Sequence, residues 1–231
     1  MASQRPEARP TSRLGALGAR ITLPFAAAAV LLAVSILFPY WELRLNAPQY
    51  PRGLFMTVFI DHIQGDIREI DGLNHYIGMA PLGNAAHLER TVAMGAIVAM
   101  IGALGVAAVL RGRWTALLAV PAMLLPPVFL ADLFYWLRHF GRNLDPDAAL
   151  SNAIPPFTPR ILGHGAIAQF STDAMVQTGF WLALAASLLI ALGLVQRLHQ
   201  PVPEPVDVPS RAAVPGSVSS RPRTDHPAEA T

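Results

Sequence analysis

Four apolar stretches constrain this chain most, because about 20 apolar residues in a helix span the hydrocarbon core of a bilayer. They cover residues 21–41, 91–110, 115–137 and 177–196. Hydrophobic residues make up 53% of the chain and charged residues 14%, whereas a soluble domain carries about 25% charged residues. The sequence therefore predicts an all-α membrane protein, a four-transmembrane-helix bundle over residues 18–198. Segments 1–17 and 199–231 lack apolar periodicity, which predicts disordered cytoplasmic tails.

Arginines determine the predicted orientation, because loops rich in Arg and Lys stay on the cytoplasmic side of a membrane. Four Arg precede the first apolar stretch, and the short turn between the second and third spans carries Arg111 and Arg113. We therefore expect a multi-pass protein of the inner membrane with both termini in the cytoplasm. The long loops 42–90 and 138–176 would face outward, toward the periplasm of a Gram-negative cell.

The first outer loop is too long for a simple connector, and its pattern predicts a small folded cap. Residues 53–60 and 63–70 are rich in β-branched and aromatic side chains, which favours a short β-hairpin. Asp71 is a candidate N-cap for a short helix through residues 72–79. The Pro-rich second loop predicts an irregular segment packed over the outer end of the bundle.

The short segment "DGLNHYIGM", residues 71–79, suggests a metal site in the cap. On the predicted helix His75 and Met79 are four residues apart and share a face, and His164 lies between two glycines in the second loop. Imidazole and thioether ligands suit copper(I). These three residues are therefore candidate metal ligands. The competing interpretation is structural: Met79 packs inside the cap, while Asn74 and His75 tie the cap to the second loop.

Asp132 is the one acidic residue inside an apolar stretch, where ionisable side chains usually serve a function or find a specific partner. Tyr135 and His139 follow at helical spacing, so the sequence places all three on one face. This face predicts a proton relay, an ion ligand or a residue that orients a metal ligand. The competing interpretation is a structural anchor that pairs with an Arg or with backbone amides of the covering loops.

Several motifs together resemble an uncharacterised family of bacterial four-span membrane proteins. They are "APQYP" at 47–51, "GDIREIDGLNHYIGM" at 65–79, "FLADLFYWLRHFGRNLDP" at 129–146 and "PFTPRILGHGAIAQF" at 156–170. Members of that family occur near genes for nitrous-oxide reductase maturation and copper supply. The resemblance implies an accessory protein with copper as its cofactor or cargo. Its partner would be a periplasmic metalloenzyme or copper chaperone.

Three functions are considered, and the first is favoured because the polar residues are concentrated in the outer loops and not in the spans. The first is a membrane accessory protein, not itself an enzyme, whose outward cap assists assembly or copper supply of a periplasmic enzyme such as nitrous-oxide reductase. The second is a small-ion or small-molecule permease subunit, which requires a polar path through the bundle. The third is a quinone-interacting or redox membrane protein, which requires a pocket near Asp132, Tyr135 and His139 that opens to lipid. Basic residues do not cluster beside stacking aromatics, so nucleic-acid binding has no support.

Overall fold

A computed structural model describes residues 11–110, 112, 114–150, 153–167 and 170–199. The segments 1–10 and 200–231, where we predicted disorder, lie outside the described residues. Residues 11–17 of the predicted N-terminal tail are part of the first helix.

The described chain is mostly helical. Five α-helices are present among the described residues: α1 (Thr11–Ser35), α2 (Ile67–Ile77), α3 (His87–Val109), α4 (Val120–Arg142) and α5 (Thr178–Leu198). A 3₁₀ helix, Thr115–Ala119, leads directly into α4. Three helical segments are long and apolar enough to cross a membrane, namely α3, Thr115–Arg142 and α5. In α1 the apolar part, Thr22–Ser35, is shorter.

A five-stranded antiparallel sheet forms the second half of the fold, and the sequence predicted only a short hairpin there. The strands are β1 (Trp41–Ala47), β2 (Tyr50–Val58), β3 (Ile63–Gly65), β4 (Gly163–Ile167) and β5 (Phe170–Val176). Their order across the sheet is β3-β2-β1-β5-β4. The second loop therefore supplies two strands instead of the irregular segment that we expected, because β5 pairs along the whole of β1.

Three boundaries differ from the sequence prediction. The first apolar stretch was expected to be helical to residue 41, but α1 ends at Ser35 and Trp41 begins β1. The predicted hairpin is present where β2 pairs with β3, although residues after 66 enter α2. Asp71 is not an N-cap, because Asp66 precedes α2, and the Asp71 carboxylate accepts a hydrogen bond from the Leu82 backbone N–H at 2.8 Å.

Two apolar cores hold the structure together. The first lies between the long helices, where α1 packs between α3 and α5, and α5 also contacts α4. The second lies between the inner face of the sheet, α2 and the last turns of α4. Trp41 is fully buried there and donates a hydrogen bond from its indole nitrogen to the Ile161 carbonyl at 2.6 Å. The sheet is therefore fixed onto one end of the helices.

The alternation of side chains along the sheet separates two faces. Leu43, Leu45 and Met56 point to the inner face, toward α2. Arg44 pairs across the strands with Asp173, which in turn pairs with His164, so these side chains share the outer face. Residues of the inner face are thus in the core, and those of the outer face meet the surroundings.

Candidate functional site

A gap lies between the long helices α3 and α4, which make few contacts with each other. It is a cleft of about 300 Å³ beneath β2 and the turn that follows it. Small side chains on α3, Ala93 and Ala96, face Val128 and Phe129 on α4 across this space. Val92 and Val128 are 52% and 58% exposed. The cleft therefore opens sideways between the two helices, and its walls are mainly apolar.

Four polar side chains lie at the end of the cleft nearest the sheet. Glu89 and Arg90 come from the start of α3, while Asp132 and Trp136 come from α4. Glu89 and Asp132 are close enough for their carboxylates to interact electrostatically. The Arg90 guanidinium donates hydrogen bonds to the carbonyls of Gly83, at 2.6 Å, and Ala86, at 3.4 Å. The polar end therefore contains two carboxyl groups, those of Glu89 and Asp132, and one guanidinium, whose N–H groups already donate to backbone carbonyls.

Trp136 brings an N–H donor to this end of the cleft. Its indole Nε1 is buried and makes no hydrogen bond of normal geometry within the described part of the chain. The Asp132 carboxyl, one turn earlier, is near enough to be a weak partner of this N–H, outside normal hydrogen-bond geometry. Because buried N–H groups are nearly always well paired in folded proteins, such a poorly paired one at the wall of a cleft leaves a place for a better-positioned acceptor.

The structure separates the three residues that we predicted to share a face of α4. Asp132 lines the cleft, whereas Tyr135 and His139 line a different, open surface with Arg138 and Arg142. The Tyr135 and His139 rings stack on each other at 5.9 Å between centroids. Tyr135 is 58% exposed, so this pair faces away from the cleft. A relay through Asp132, Tyr135 and His139 is not formed, because Trp136 occupies the cleft beside Asp132 instead.

The structure likewise does not bring His75, Met79 and His164 together. His75 is on the exposed side of α2, while the Met79 side chain is 8% exposed within the second core. His164 lies on the outer face of the sheet, where its Nδ1 is 2.9 Å from an Asp173 oxygen. Since α2 packs against the inner face, the sheet itself lies between His75 and His164. Within the described residues no group of three or more His, Cys, Asp or Glu could hold a metal ion.

Asp173 is the most strongly connected acid of the outer face. Its carboxylate bonds His164 and also accepts a hydrogen bond from the Asn46 amide at 2.9 Å. These contacts, that of His164 first, hold the pKa of Asp173 below its usual value. These contacts join β1, β4 and β5, so the hydrogen bond of His164 gives this residue a structural role that needs no metal.

A second, smaller cavity of about 60 Å³ lies inside the second core, between α2 and the inner face of the sheet. Asn74 is on its wall and is 8% exposed. The Asn74 Nδ2 is buried and has no hydrogen-bond partner among the described residues. The sequence placed Asn74 in the cap as a possible tie to the second loop, but its amide nitrogen makes no such bond.

Sequence reasoning identified Asp132 but missed Glu89, Arg90 and the role of Trp136. A usable indication was present, because α3 and α4 form an antiparallel pair joined by a short turn. Residues at similar distances from that turn lie at similar depth, which places Glu89 near Asp132. The choice between Tyr135 and Trp136 as the neighbour of Asp132 depended on how α4 is rotated, and that rotation is a tertiary property.

No known protein family, curated protein or solved structure matches this chain. The resemblance to a four-span bacterial family, and the copper role that it implies, stay predictions.

Proposed function

We propose that this protein crosses the membrane with α3, α4 and α5, and with α1 as a fourth span, and binds a lipid between α3 and α4. The ligand is a neutral lipid with a carbonyl-bearing head, a class that includes isoprenoid quinones and ester lipids. The observation that supports this function is the apolar lateral cleft, which has at its polar end a buried indole N–H without a hydrogen bond of normal geometry among the described residues. Of the three functions considered from sequence, the quinone-interacting one is closest to this proposal.

The chemistry of the polar end selects the head group. Trp136 offers an N–H, which requires an acceptor such as a carbonyl oxygen. Two carboxyl groups, those of Glu89 and Asp132, line this end of the cleft, which disfavours an anionic phosphate or carboxylate head. Arg90 is held by two backbone carbonyls. An uncharged oxygen acceptor on an apolar chain therefore fits both the walls and the polar end.

The cleft favours binding over transport. A permease would need polar groups along the whole path, and here the polar side chains lie at one end of an apolar cleft. Beyond Val128, toward the helix ends that are far from the sheet, the side chains between the helices belong to the first apolar core. A ligand would enter sideways from the lipid phase, where amphiphiles are concentrated.

The test is lipid analysis of purified protein. The protein would be extracted in detergent, and the bound lipids would be identified by mass spectrometry. Ala96→Trp fills the cleft from α3, while Val98→Trp places the same side chain on an exposed part of α3 outside the cleft. We expect a neutral carbonyl lipid with the wild type and Val98→Trp, and its loss from Ala96→Trp. Equal retention by the two variants would refute the proposal.

An accessory role for the outer cap is the second candidate, favoured by the charged outer face of the sheet. Arg44, Asp173 and His164 line this face, and Arg44 also lies 5.3 Å from the centre of the Phe55 ring. In the version that supplies copper to nitrous-oxide reductase, His75 would be a ligand. Metal analysis of wild type and His75→Ala tests that version, since equal copper content would exclude His75 as a ligand.

A further inference from the structure

The lateral cleft and the cavity in the cap share one wall. Met56 of β2, Leu82 of the turn before α3 and Leu137 of α4 line both spaces. All three side chains are buried, at 3%, 5% and 7% exposure. Within the described part of the chain, this layer of flexible apolar side chains, called here the Met56–Leu82–Leu137 constriction, lies between the cleft and the interior of the cap.

Each side of the constriction holds one buried N–H donor that makes no hydrogen bond of normal geometry to the described residues. Trp136 Nε1 lies on the cleft side and Asn74 Nδ2 on the cap side. A buried amide N–H without a partner costs free energy, and native structures keep few of them. Both groups are N–H donors. A single ligand with two acceptor oxygens, reaching through the constriction, would satisfy both.

We propose that the cap cavity is the inner compartment of the lipid site, so that the head group passes the Met56–Leu82–Leu137 constriction and one carbonyl oxygen accepts a hydrogen bond from Asn74. This inference rests on the proposed function and names what the cap adds to it. The cap then acts as a receptor for the head of a membrane lipid. Two sources share the required chemistry: a quinone, with two ring carbonyls, and a diacylglycerol, with two ester carbonyls.

The space available agrees with a partly inserted head. The cap cavity measures about 60 Å³, enough for a few heavy atoms and too small for a whole lipid. The cleft, at about 300 Å³, is the larger compartment and accommodates the apolar chain. Met56 and Leu137 can change rotamers without losing apolar contact, because their side chains are unbranched at the β-carbon and surrounded by other apolar groups. Passage therefore needs side-chain motion and no opening of the sheet.

Asn74→Leu is the informative substitution, because it keeps the shape of the side chain and removes the donor. In protein without ligand we expect this variant to be at least as stable as the wild type, since a buried unpaired amide is replaced by an apolar group. In binding we expect the reverse: affinity for the probe falls about 3- to 10-fold, the range for one lost neutral hydrogen bond. If Asn74 had only a structural role, Asn74→Leu would not keep or raise stability while it lowers affinity for the probe.

The binding experiment uses full-length protein in detergent micelles, with decylubiquinone and dioctanoylglycerol as separate probes and native mass spectrometry as the readout. Binding of either probe by the wild type, weakened in Asn74→Leu, supports the inference, and the tighter probe identifies the source of the head group. Gly72→Ala, on the open side of α2, is the control and should bind like the wild type.

The outcomes separate the two proposals. If Ala96→Trp abolishes binding while Asn74→Leu binds as the wild type does, the cleft binds lipid and the inner compartment is refuted. If neither probe binds the wild type, or Ala96→Trp binds normally, the proposed function itself fails. Lower stability of ligand-free Asn74→Leu would also overturn the inference, because it would show that the Asn74 amide already has a partner.

Discussion

The contact between α5 and the corner that joins α1 to β1 can be tested with one added methyl group. Gly179 is buried in the first turn of α5, and its N–H donates to the Pro39 carbonyl at 2.8 Å. A β-carbon at this position would lie 2.5 Å from the Phe38 carbonyl oxygen, 2.7 Å from Tyr40 Cδ2 and 2.8 Å from the Pro39 oxygen. Two of these three atoms belong to the backbone, and Tyr40 is fully buried.

The expected size of the effect follows from those distances. Side-chain carbons do not normally approach backbone oxygens within about 3 Å, so the corner or α5 must shift in Gly179→Ala. Overpacking of this kind costs about 1–3 kcal/mol, and the rigid neighbours place the cost in the upper part of that range. For a chain of this length, each 1 kcal/mol lowers Tm by about 2–4 °C. We therefore expect Tm to fall by about 4–12 °C.

Gly95→Ala is the matched control, because it adds the same methyl group to a helix where nothing lies within 4 Å of the new carbon. Alanine stabilises a helix interior over glycine by up to about 1 kcal/mol. Tm of this variant should therefore stay the same or rise slightly. Both would be measured by thermal unfolding of the detergent-purified protein, followed by far-UV circular dichroism. Unchanged Tm in Gly179→Ala, or an equal fall in both variants, would refute this account of the helix–corner contact.

Three further predictions concern the sheet and the far end of the helices. Gly65→Ala should disrupt the β2–β3 pair, because Gly65 has φ of 116° and its added carbon would overlap a backbone carbonyl of β2. Limited proteolysis should then cut the cap of this variant, whereas the cap of Gly72→Ala should stay resistant. In His164→Ala the pKa of Asp173 should rise toward its usual value, which carbon-13 NMR of the carboxyl would measure. In the wild type the pKa of Asp173 is lower in the folded than in the unfolded state. The stabilisation from this contact is therefore complete above the unfolded pKa and is lost as the pH falls through the folded one. Arg197 is 4% exposed and donates to the carbonyls of Ala107, in the last turn of α3, and of Leu110, which follows α3. Arg197→Met should therefore cost about 1–3 kcal/mol in the same unfolding assay, and a stability equal to the wild type would contradict this.

The small residues of α3 show how sequence pattern and packing can diverge. Gly95, Ala99 and Ala103 are four residues apart, which predicts close approach of another helix, most simply within the same chain. In the structure Gly95 and Ala99 are exposed, and an added carbon at Gly95 meets nothing within 4 Å. α1 instead packs on α3 through the larger buried side chains Ile97 and Leu104. Spacing identified a face of the helix but not its neighbour.

The sequence by itself determined the long apolar helices, the short helix α2 and the β2–β3 hairpin, because each follows from local composition and periodicity. It also identified Asp132 as an unusual acid within a long apolar helix. The extent of the sheet was decided only in three dimensions: β4 and β5 are separated from β1 by more than 100 residues, and their Pro- and Gly-rich surroundings hide the strand pattern. Pairing along β1 supplied the hydrogen bonds that made them strands.

Tertiary structure also decided which polar residues meet. Helical spacing placed Asp132 with Tyr135 and His139, but the rotation of α4 toward the cleft put Asp132 beside Trp136 and opposite Glu89. The same is true of His75 and His164, whose residue types suggested one metal site. Because α2 packs on the inner face of the sheet and β4 presents His164 on the outer face, the sheet backbone separates them. Residue types are local information, whereas the side of a sheet on which they lie depends on the packing of the whole chain.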